Sequence, residues 1–460
     1  MAKSVTGLST SFKALKINSD ESKYGSFAEI GAGQEVARHF FHAGHASGTI
    51  AKSMSAYDMT FSDEIYGKEE SGRYVCESRL LKMLTTEFDL LNDRLSEARG
   101  KDSTFFSFAD TVATNRGHGW IGIKYQLSPL SPAHSIVLHV KMLDHTRLQQ
   151  SEAIGVLGTN LIFGAFELYK DPKKLIESLT DNLSSGRIEI DLIRFTGPEF
   201  EEIDNRLMCL ELVKQGLTQN VVFNPQGETT TLSEEFFNKS VFLLRGEFRP
   251  ITNVNIEILN LSCNQFKKDF ELGETTPLLE ITMAHLKKVG DTIHRQDFLD
   301  RVDTLAHLGF RVMISNYDFY YEVKQALRSV TKAPIGMVIG GNHLDYFFEE
   351  ENYTHLTGGI FEAASKLFDP KATIYIFPYK TKETCTTLKS YITDEVSQHL
   401  INYLTGKKNI KELADCDEVE SSVLSSQVRK LLRDGDSGWK ELVPTKVREL
   451  IEKEGLFQKK

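Results

Sequence analysis

Beyond residue 296 the sequence alternates between helix-like and strand-like segments with little interruption, and this rhythm restricts the fold more than any other feature. Helical spacing over 297–308 gives way to Arg311–Ser315 (RVMIS), then to a helix over 318–328 and to Ile335–Ile339 (IGMVI). A helix over 359–367, the strand Ala372–Phe377 (ATIYIF), a helix over 392–404 and a helical C-terminus follow. Strands this short and uniformly apolar need cover on both faces, and the intervening helices supply it. The segment therefore predicts a mainly parallel, Rossmann-like sheet.

Upstream the pattern differs. Gln34–Phe41 and Arg79–Glu97 read as helices, the second with Leu80, Leu84, Phe88, Leu91 and Leu95 at helical spacing. Trp120–Tyr125, Ser135–Met142 and Arg187–Phe195 read as strands that follow one another without obvious crossover helices. The helix Asn205–Lys214 and two further strands, Val221–Asn224 and Val241–Leu244, precede a Gly/Thr/Pro break at Leu272–Pro277 (LGETTP). The expected fold is α/β in two parts. It has a flexible Ser/Lys-rich leader over 1–27, a mixed α/β domain over 28–275 and a Rossmann-like α/β domain over 276–460. A length of 460 residues accommodates this, at roughly 100–200 residues per domain.

Charge and composition remove several functions. With 54 basic and 64 acidic side chains the net charge is −10, the wrong sign for a bulk nucleic-acid partner, which requires positive surface to displace counterions. No stretch of about 18 uncharged apolar residues occurs, so no membrane span is expected. The N-terminus lacks the apolar core of a secretory signal. Cys76, Cys209, Cys263, Cys385 and Cys416 are widely spaced, odd in number and form no C-x-x-C pair. That pattern predicts reduced thiols in a cytoplasmic protein, with neither a disulfide framework nor a zinc site. His343, Asp345 and the acidic run Phe347–Asn352 read as a solvated helix end, and no resident metal is expected.

Two glycine patterns suggest phosphate cradles. Ile30-Gly-Ala-Gly-Gln-Glu-Val-Ala37 resembles the start of a dinucleotide fingerprint but lacks the third glycine, and Gly117-His-Gly-Trp-Ile-Gly122 leads into a strand where a helix is needed. Arg245-Gly-Glu-Phe-Arg-Pro250 closes an apolar strand; Arg245 and Arg249 could clamp a phosphate or pair with nearby acids such as Glu247. Asp144, His145, Gln149 and Gln150 follow a strand, as do Ser315-Asn316-Tyr317 and Gly340-Gly341-Asn342-His343. These are places where ligands collect and where tight turns also fall. Ser425 and Ser426 at a helix start, followed by Arg429, make an anion site or a capped amphipathic helix.

The tail Leu424-Ser-Ser-Gln-Val-Arg429, then Gly435, Leu442-Val-Pro444, Val447, Ile451 and Leu456-Phe457, resembles the C-terminal signature of the nicotinamide/nicotinate mononucleotide adenylyltransferase family. The resemblance implies that Ser425, Ser426 and Arg429 contact ATP phosphates. It also implies a His-x-x-His element directly after a first strand; His42-Ala-Gly-His45 supplies that string, although Glu35–Phe41 before it reads as helix. The full chain also resembles a bacterial family whose members carry labels such as adenylyltransferase-like and "TonB box-like". That similarity rests on Glu29–Arg38, Met54–Met59, Arg245–Pro250 and the tail. A TonB-dependent receptor would be a secreted β-barrel, which this pattern does not support.

The function expected on this basis is nucleotide binding in the cytoplasm, nucleotidyltransferase-like, with adenylyl transfer from ATP to a mononucleotide. His42 and His45 would be catalytic; Ser425, Ser426, Arg429, Arg245 and Arg249 would hold the nucleotide. ATP and Mg²⁺ are the implied cofactors, Mg²⁺ to neutralise the polyphosphate. The alternative is a non-catalytic, self-assembling scaffold, because an aromatic surplus in the N-terminal half can serve subunit contacts. A homo-oligomer is expected in either case.

Overall fold

The computed structural model of the chain describes residues 7–114, 117–287, 292–419 and 425–457. It divides into two compact units, Met1–Gln219 and Asn220–Lys460, and the fold is α/β in both.

The first unit is built on a six-stranded sheet of β1 (Lys23–Ile30), β2 (Ile50–Ser55), β3 (Thr104–Ala113), β4 (His118–Gln126), β5 (Ala133–Met142) and β6 (Ile188–Thr196), in the order β2-β1-β3-β4-β5-β6. β1 pairs in parallel with β2 and β3 and the remaining pairs are antiparallel; β3, β4 and β5 follow one another directly, but β6, expected to follow β5 without a crossover helix, comes after the helices Arg147–Glu167 and Pro172–Ser178. The Glu77–Arg99 helix lays Leu80 and Leu84 on one face, against Trp120, Val137 and Leu192.

Much of the stretch expected to be a flexible leader is regular secondary structure. Within it lie the helix Thr10–Asn18, with Ala14 and Ile17 wholly buried, and most of β1. Lysine-richness misled the reading, because Lys13 is itself buried, donating to Asp181 at 2.7 Å and to Asn160 at 2.9 Å. A buried ammonium is tolerated when it is paired and hydrogen-bonded. Residues 1–6 lie outside the described residues.

The second unit contains β7 (Asn220–Phe223), β8 (Thr229–Thr230), β9 (Val241–Arg245), β10 (Thr276–Thr282), β11 (Arg311–Ser315), β12 (Ile335–Gly340), β13 (Ala372–Phe377), the hairpin β14 (Tyr379–Lys380) and β15 (Cys385–Thr386), and β16 (Ile410–Glu412). Its eight-stranded sheet runs β16-β13-β12-β9-β10-β11-β7-β8, parallel from β16 to β11 and antiparallel only at β7 and β8. The units therefore meet at Gln219/Asn220, not near 275. LGETTP is the loop into β10, and Thr276 pairs with Val241 of β9 across the proposed boundary. A Gly/Pro break marked a turn inside one sheet.

Numbered from β9, the parallel strands lie in the spatial order third, second, first, fourth, fifth, sixth. This is the doubly wound order, in which ligands bind where the strand order reverses, outside the carboxyl ends of the first and fourth strands. Here that point lies between β9 and β12.

One expectation about cysteine fails. Cys385 and Cys416 form a disulfide with their Cα atoms 6.2 Å apart, while Cys76, Cys209 and Cys263 are free and buried. Spacing along the chain concealed the pair, which β15 and the turn at Cys416–Glu418 bring together. Among the described residues no helix is long and apolar enough to cross a membrane.

Candidate functional site at the carboxyl ends of β9 and β12

β9 is an apolar run, Val241–Leu244, that emerges from the sheet at Arg245. The side chain of Arg245 turns sideways onto its register partner Glu280. Nε donates to Oε2 at 2.8 Å and NH2 to Oε1 at 3.1 Å, while NH1 donates to the Asp318 carbonyl at 2.8 Å. The guanidinium lies 4.6 Å from the Tyr320 ring centroid. Glu280 is wholly buried and also accepts from Ser315 Oγ at 2.5 Å. Burial works against the Arg245 charge, but the Glu280 carboxylate more than restores it and holds the pKa above its ordinary value. Arg245 is thus an internal cation of the sheet rather than a phosphate clamp, and its acid is Glu280, not Glu247.

The loop after β9 carries the charge that remains. Arg249 Nε donates to Asp297, whose second oxygen accepts from Arg301 NH2 at 2.5 Å. Arg301, 1% exposed, also donates through NH1 to the carbonyls of Glu247 (3.1 Å) and His285 (3.3 Å). Arg429, from the Ser425–Asp434 helix, donates through NH1 to the Arg249 carbonyl at 2.9 Å and lies 3.5 Å from Glu247 Oε2. Ser425 Oγ donates to the Pro250 carbonyl at 2.9 Å. Three guanidiniums therefore surround two carboxylates. Burial first, and the charge of Arg249 besides, push Arg301 and Arg429 below their ordinary pKa, against the opposing pull of Asp297 and Glu247.

The same loop starts the Asn253–Asp269 helix. The Thr252 N–H donates to Asn255 Oδ1 at 3.0 Å and the Asn255 N–H to Thr252 Oγ at 3.3 Å, closing a capping box. The tail docks here as well, since the Asn253 N–H donates to the Leu442 carbonyl at 2.9 Å and its side chain to that of Glu441 at 2.9 Å. Ser425, Arg429 and the Leu-Val-Pro segment thus converge on the loop after β9; Leu424 lies outside the described residues. Ser426 is exposed on the same helix start.

His42 and His45 are residues of the first unit. His42 is in the last turn of the helix Gln34–Ala43, and His45 follows Gly44 in the left-handed region, with φ of 61°. The string therefore ends a helix instead of following a strand. In the second unit the stretch after the first parallel strand, Gly246–Asn255, contains no histidine. Asp297 and Arg301 escaped the sequence reading; their i,i+4 spacing was visible, but nothing in it distinguished a buried pair from a solvated one.

The other candidates resolve into structural roles. Ile30–Ala37 does run from strand through glycine turn to helix, yet the turn is already filled from within. Glu29 Oε2 accepts from the Gly33 N–H at 3.1 Å, and a Cβ on Gly33 would lie 1.7 Å from Asp110 Oδ2. Two carboxylates in that place exclude a pyrophosphate. Gly117–Gly122 lies in β4 or just ahead of it, as its strand context implied. The Asp144 carboxylate accepts from Arg187 Nε at 2.8 Å, and its carbonyl from Gln150 Nε2 at 2.8 Å.

A phosphate fits the arginine cluster by charge, and among the described residues Arg429 uses NH1 for its contacts to the Arg249 carbonyl and Glu247. A resident Mg²⁺ does not fit: among the described residues no group of three His, Cys, Asp or Glu side chains is placed to hold a metal, and Glu247 and Asp297 face arginines. A divalent ion would have to enter on the phosphates of its ligand.

The fold and the site define a two-unit α/β protein with a Rossmann-like second unit. No protein-family model matches the chain, and neither does any curated protein sequence. Among solved structures it is similar to the competence/damage inducible protein CihA from Agrobacterium tumefaciens, at 16% identity over 34% of this chain and 94% of that one, with a TM-score of 0.24. The competence-damaged protein (CinA) superfamily protein from Enterobacter cloacae matches at 11% identity over 34% and 89%, with a TM-score of 0.26. The Escherichia coli member matches at 13% over 34% and 91%, with a TM-score of 0.24. These likenesses concern about a third of the chain, and no property of those proteins is carried over.

Proposed function

We propose that the second unit binds the phosphate end of a nucleotide at the arginine cluster formed by Arg249, Arg301 and Arg429. The observation that carries this reading is the convergence of three guanidiniums on two carboxylates at the point where the strand order reverses. Arg429 is the contacting residue, Ser426 lies beside it, and Arg249, Arg301 and Ser425 shape the loop. The reading is binding rather than adenylyl transfer. Transfer needs a donor aimed at the charge that develops on the moving phosphate, and the stretch Gly246–Asn255 after β9 holds no histidine to supply it as a His-x-x-His element would.

Titration calorimetry of the full chain with ATP, with and without Mg²⁺, tests it. Arg429→Ala should weaken binding about 10- to 100-fold, the equivalent of about 1.5–3 kcal/mol for a charged hydrogen bond. An affinity for ATP that Arg429→Ala leaves unchanged refutes the site. Release of pyrophosphate from ATP and nicotinamide mononucleotide, abolished by His45→Ala, would refute the restriction to binding.

A further inference from the structure

We infer that the Cys385–Cys416 disulfide is a site of thiol–disulfide exchange that fastens the cover of the β12 loop to the segment leading into the arginine-bearing helix. Its link to nucleotide affinity rests on the function proposed above.

The two cysteines differ from the other three in where they lie. Cys76, Cys209 and Cys263 are buried, and burial pushes the Cys209 and Cys263 thiols up to about 12, which keeps them protonated and inert. Cys385 and Cys416 are only half-buried, and their chain neighbours Thr384, Asp415 and Asp417 are exposed. A dithiol in solution meets this disulfide first.

The pair joins two elements at the carboxyl ends of β12 and β16. Cys385 lies in the β14–β15 hairpin, which sits directly over the turn after β12: a Cβ on Gly341 would lie 2.2 Å from the Thr386 carbonyl oxygen and 3.3 Å from the Tyr379 nitrogen. Only glycine allows the two backbones to meet so closely. Cys416 lies nine residues before Ser425, the first residue of the helix that carries Arg429. Among the described residues the non-covalent ties are side-chain bonds, and just beyond the hairpin the Leu388 and Lys389 N–H groups donate to the Glu412 carboxylate at 3.1 and 3.3 Å. Lys380 Nζ donates to the carbonyls of Cys416 (2.8 Å) and Val419 (3.0 Å), and the exposed pair Lys389–Asp415 spans 2.9 Å. The exposed ion pair contributes little to holding the two elements together, so the covalent bond acts beside the two Lys380 bonds as the fastening.

The exchange balances with a dithiol as reductant. One thiolate of the dithiol attacks a sulfur of the pair, forming a mixed disulfide and expelling the other protein sulfur as a thiolate that takes up a proton. The second thiol of the reagent then closes on the first, releasing the remaining protein thiol and leaving the reagent oxidised as a cyclic disulfide. Loosening the hairpin and the 416–419 segment removes part of the preorganisation of the site, for which an affinity loss of about fivefold is a reasonable scale.

The test uses the full chain with dithiothreitol as the dithiol. Alkylation after denaturation should label three thiols before native-state reduction and five after it. Hydrogen exchange should rise on reduction within 379–390 and 413–419, and the Cys385→Ser and Cys416→Ser variants should match the reduced protein and ignore dithiothreitol. Five thiols at the outset, a bond that resists dithiothreitol in the native state, or unchanged exchange after reduction would each overturn the inference. ATP affinity is measured in parallel on both redox forms. If thiol count and exchange respond while neither form binds ATP, the exchange site stands and the nucleotide reading fails. Equal ATP affinity in the two forms removes the coupling alone.

Discussion

Replacing Asp110 with asparagine should stabilise the first unit at neutral pH and do little in acid. Asp110 is wholly buried, neither carboxylate oxygen has a hydrogen-bond partner, and Glu29 is its register partner on β1. Burial first, and the Glu29 charge second, hold its pKa well above 3.8. The folded state thus keeps a proton over a range in which the unfolded chain has released it. The associated stability is fully present below about 3.8 and is lost as pH rises through the folded value, at most about 1.4 kcal/mol per pH unit. An amide does not ionise, so the variant lacks this slope. It still buries an unpaired polar group, so the gain reflects the carboxylate penalty alone, about 1–3 kcal/mol near pH 7.5. For a unit of this size that is about 2–4 °C in Tm per kcal/mol. Urea unfolding of the full chain from about pH 4 to 8 measures it. Trp120 reports on the first unit in a Trp439→Phe background, because the chain has two tryptophans. Glu29 is common to both proteins, so the difference curve isolates Asp110 and its coupling to Glu29. Parallel pH profiles, or a variant less stable at neutral pH, would refute the reasoning.

Gly33→Ala forces a methyl group against Asp110 and should cost about 1–3 kcal/mol in urea unfolding, with most of the loss recovered in an Asp110→Ala background. Asp191→Asn weakens the partner of both His139 (2.5 Å) and Lys141 (3.1 Å) in a buried cluster. A loss of about 3–5 kcal/mol is expected by the same assay. Thr252→Ala opens the capping box at the start of the Asn253–Asp269 helix and should cost about 1 kcal/mol, read as a lower Tm of the second unit. Its ATP affinity should fall less than that of Arg429→Ala, since Thr252 shapes the loop without facing the ligand.

Several elements were readable because local rules decided them. The buried strands Arg311–Ser315, Ile335–Gly340 and Ala372–Phe377 are continuous apolar runs between amphipathic helices, a pattern with few solutions other than a parallel sheet. Ser425 and Arg429 were picked out by chemistry that survives in any context, a hydroxyl and a guanidinium at a helix start. The leader was misread because Lys13 appears solvated in a string of letters and becomes internal only when Asp181 and Asn160 arrive from far along the chain.

What the sequence by itself determined is therefore the α/β class and the Rossmann-like second half, both consequences of short-range periodicity. Tertiary structure alone decided the rest. It moved the boundary to Gln219/Asn220, because strand pairing across LGETTP is a contact between distant segments. It gave Arg245 to Glu280 and joined Asp297 and Arg301 to Arg249 and Arg429. It closed Cys385 onto Cys416. Charges and thiols find partners by proximity in space, and a one-dimensional string records proximity only for near neighbours.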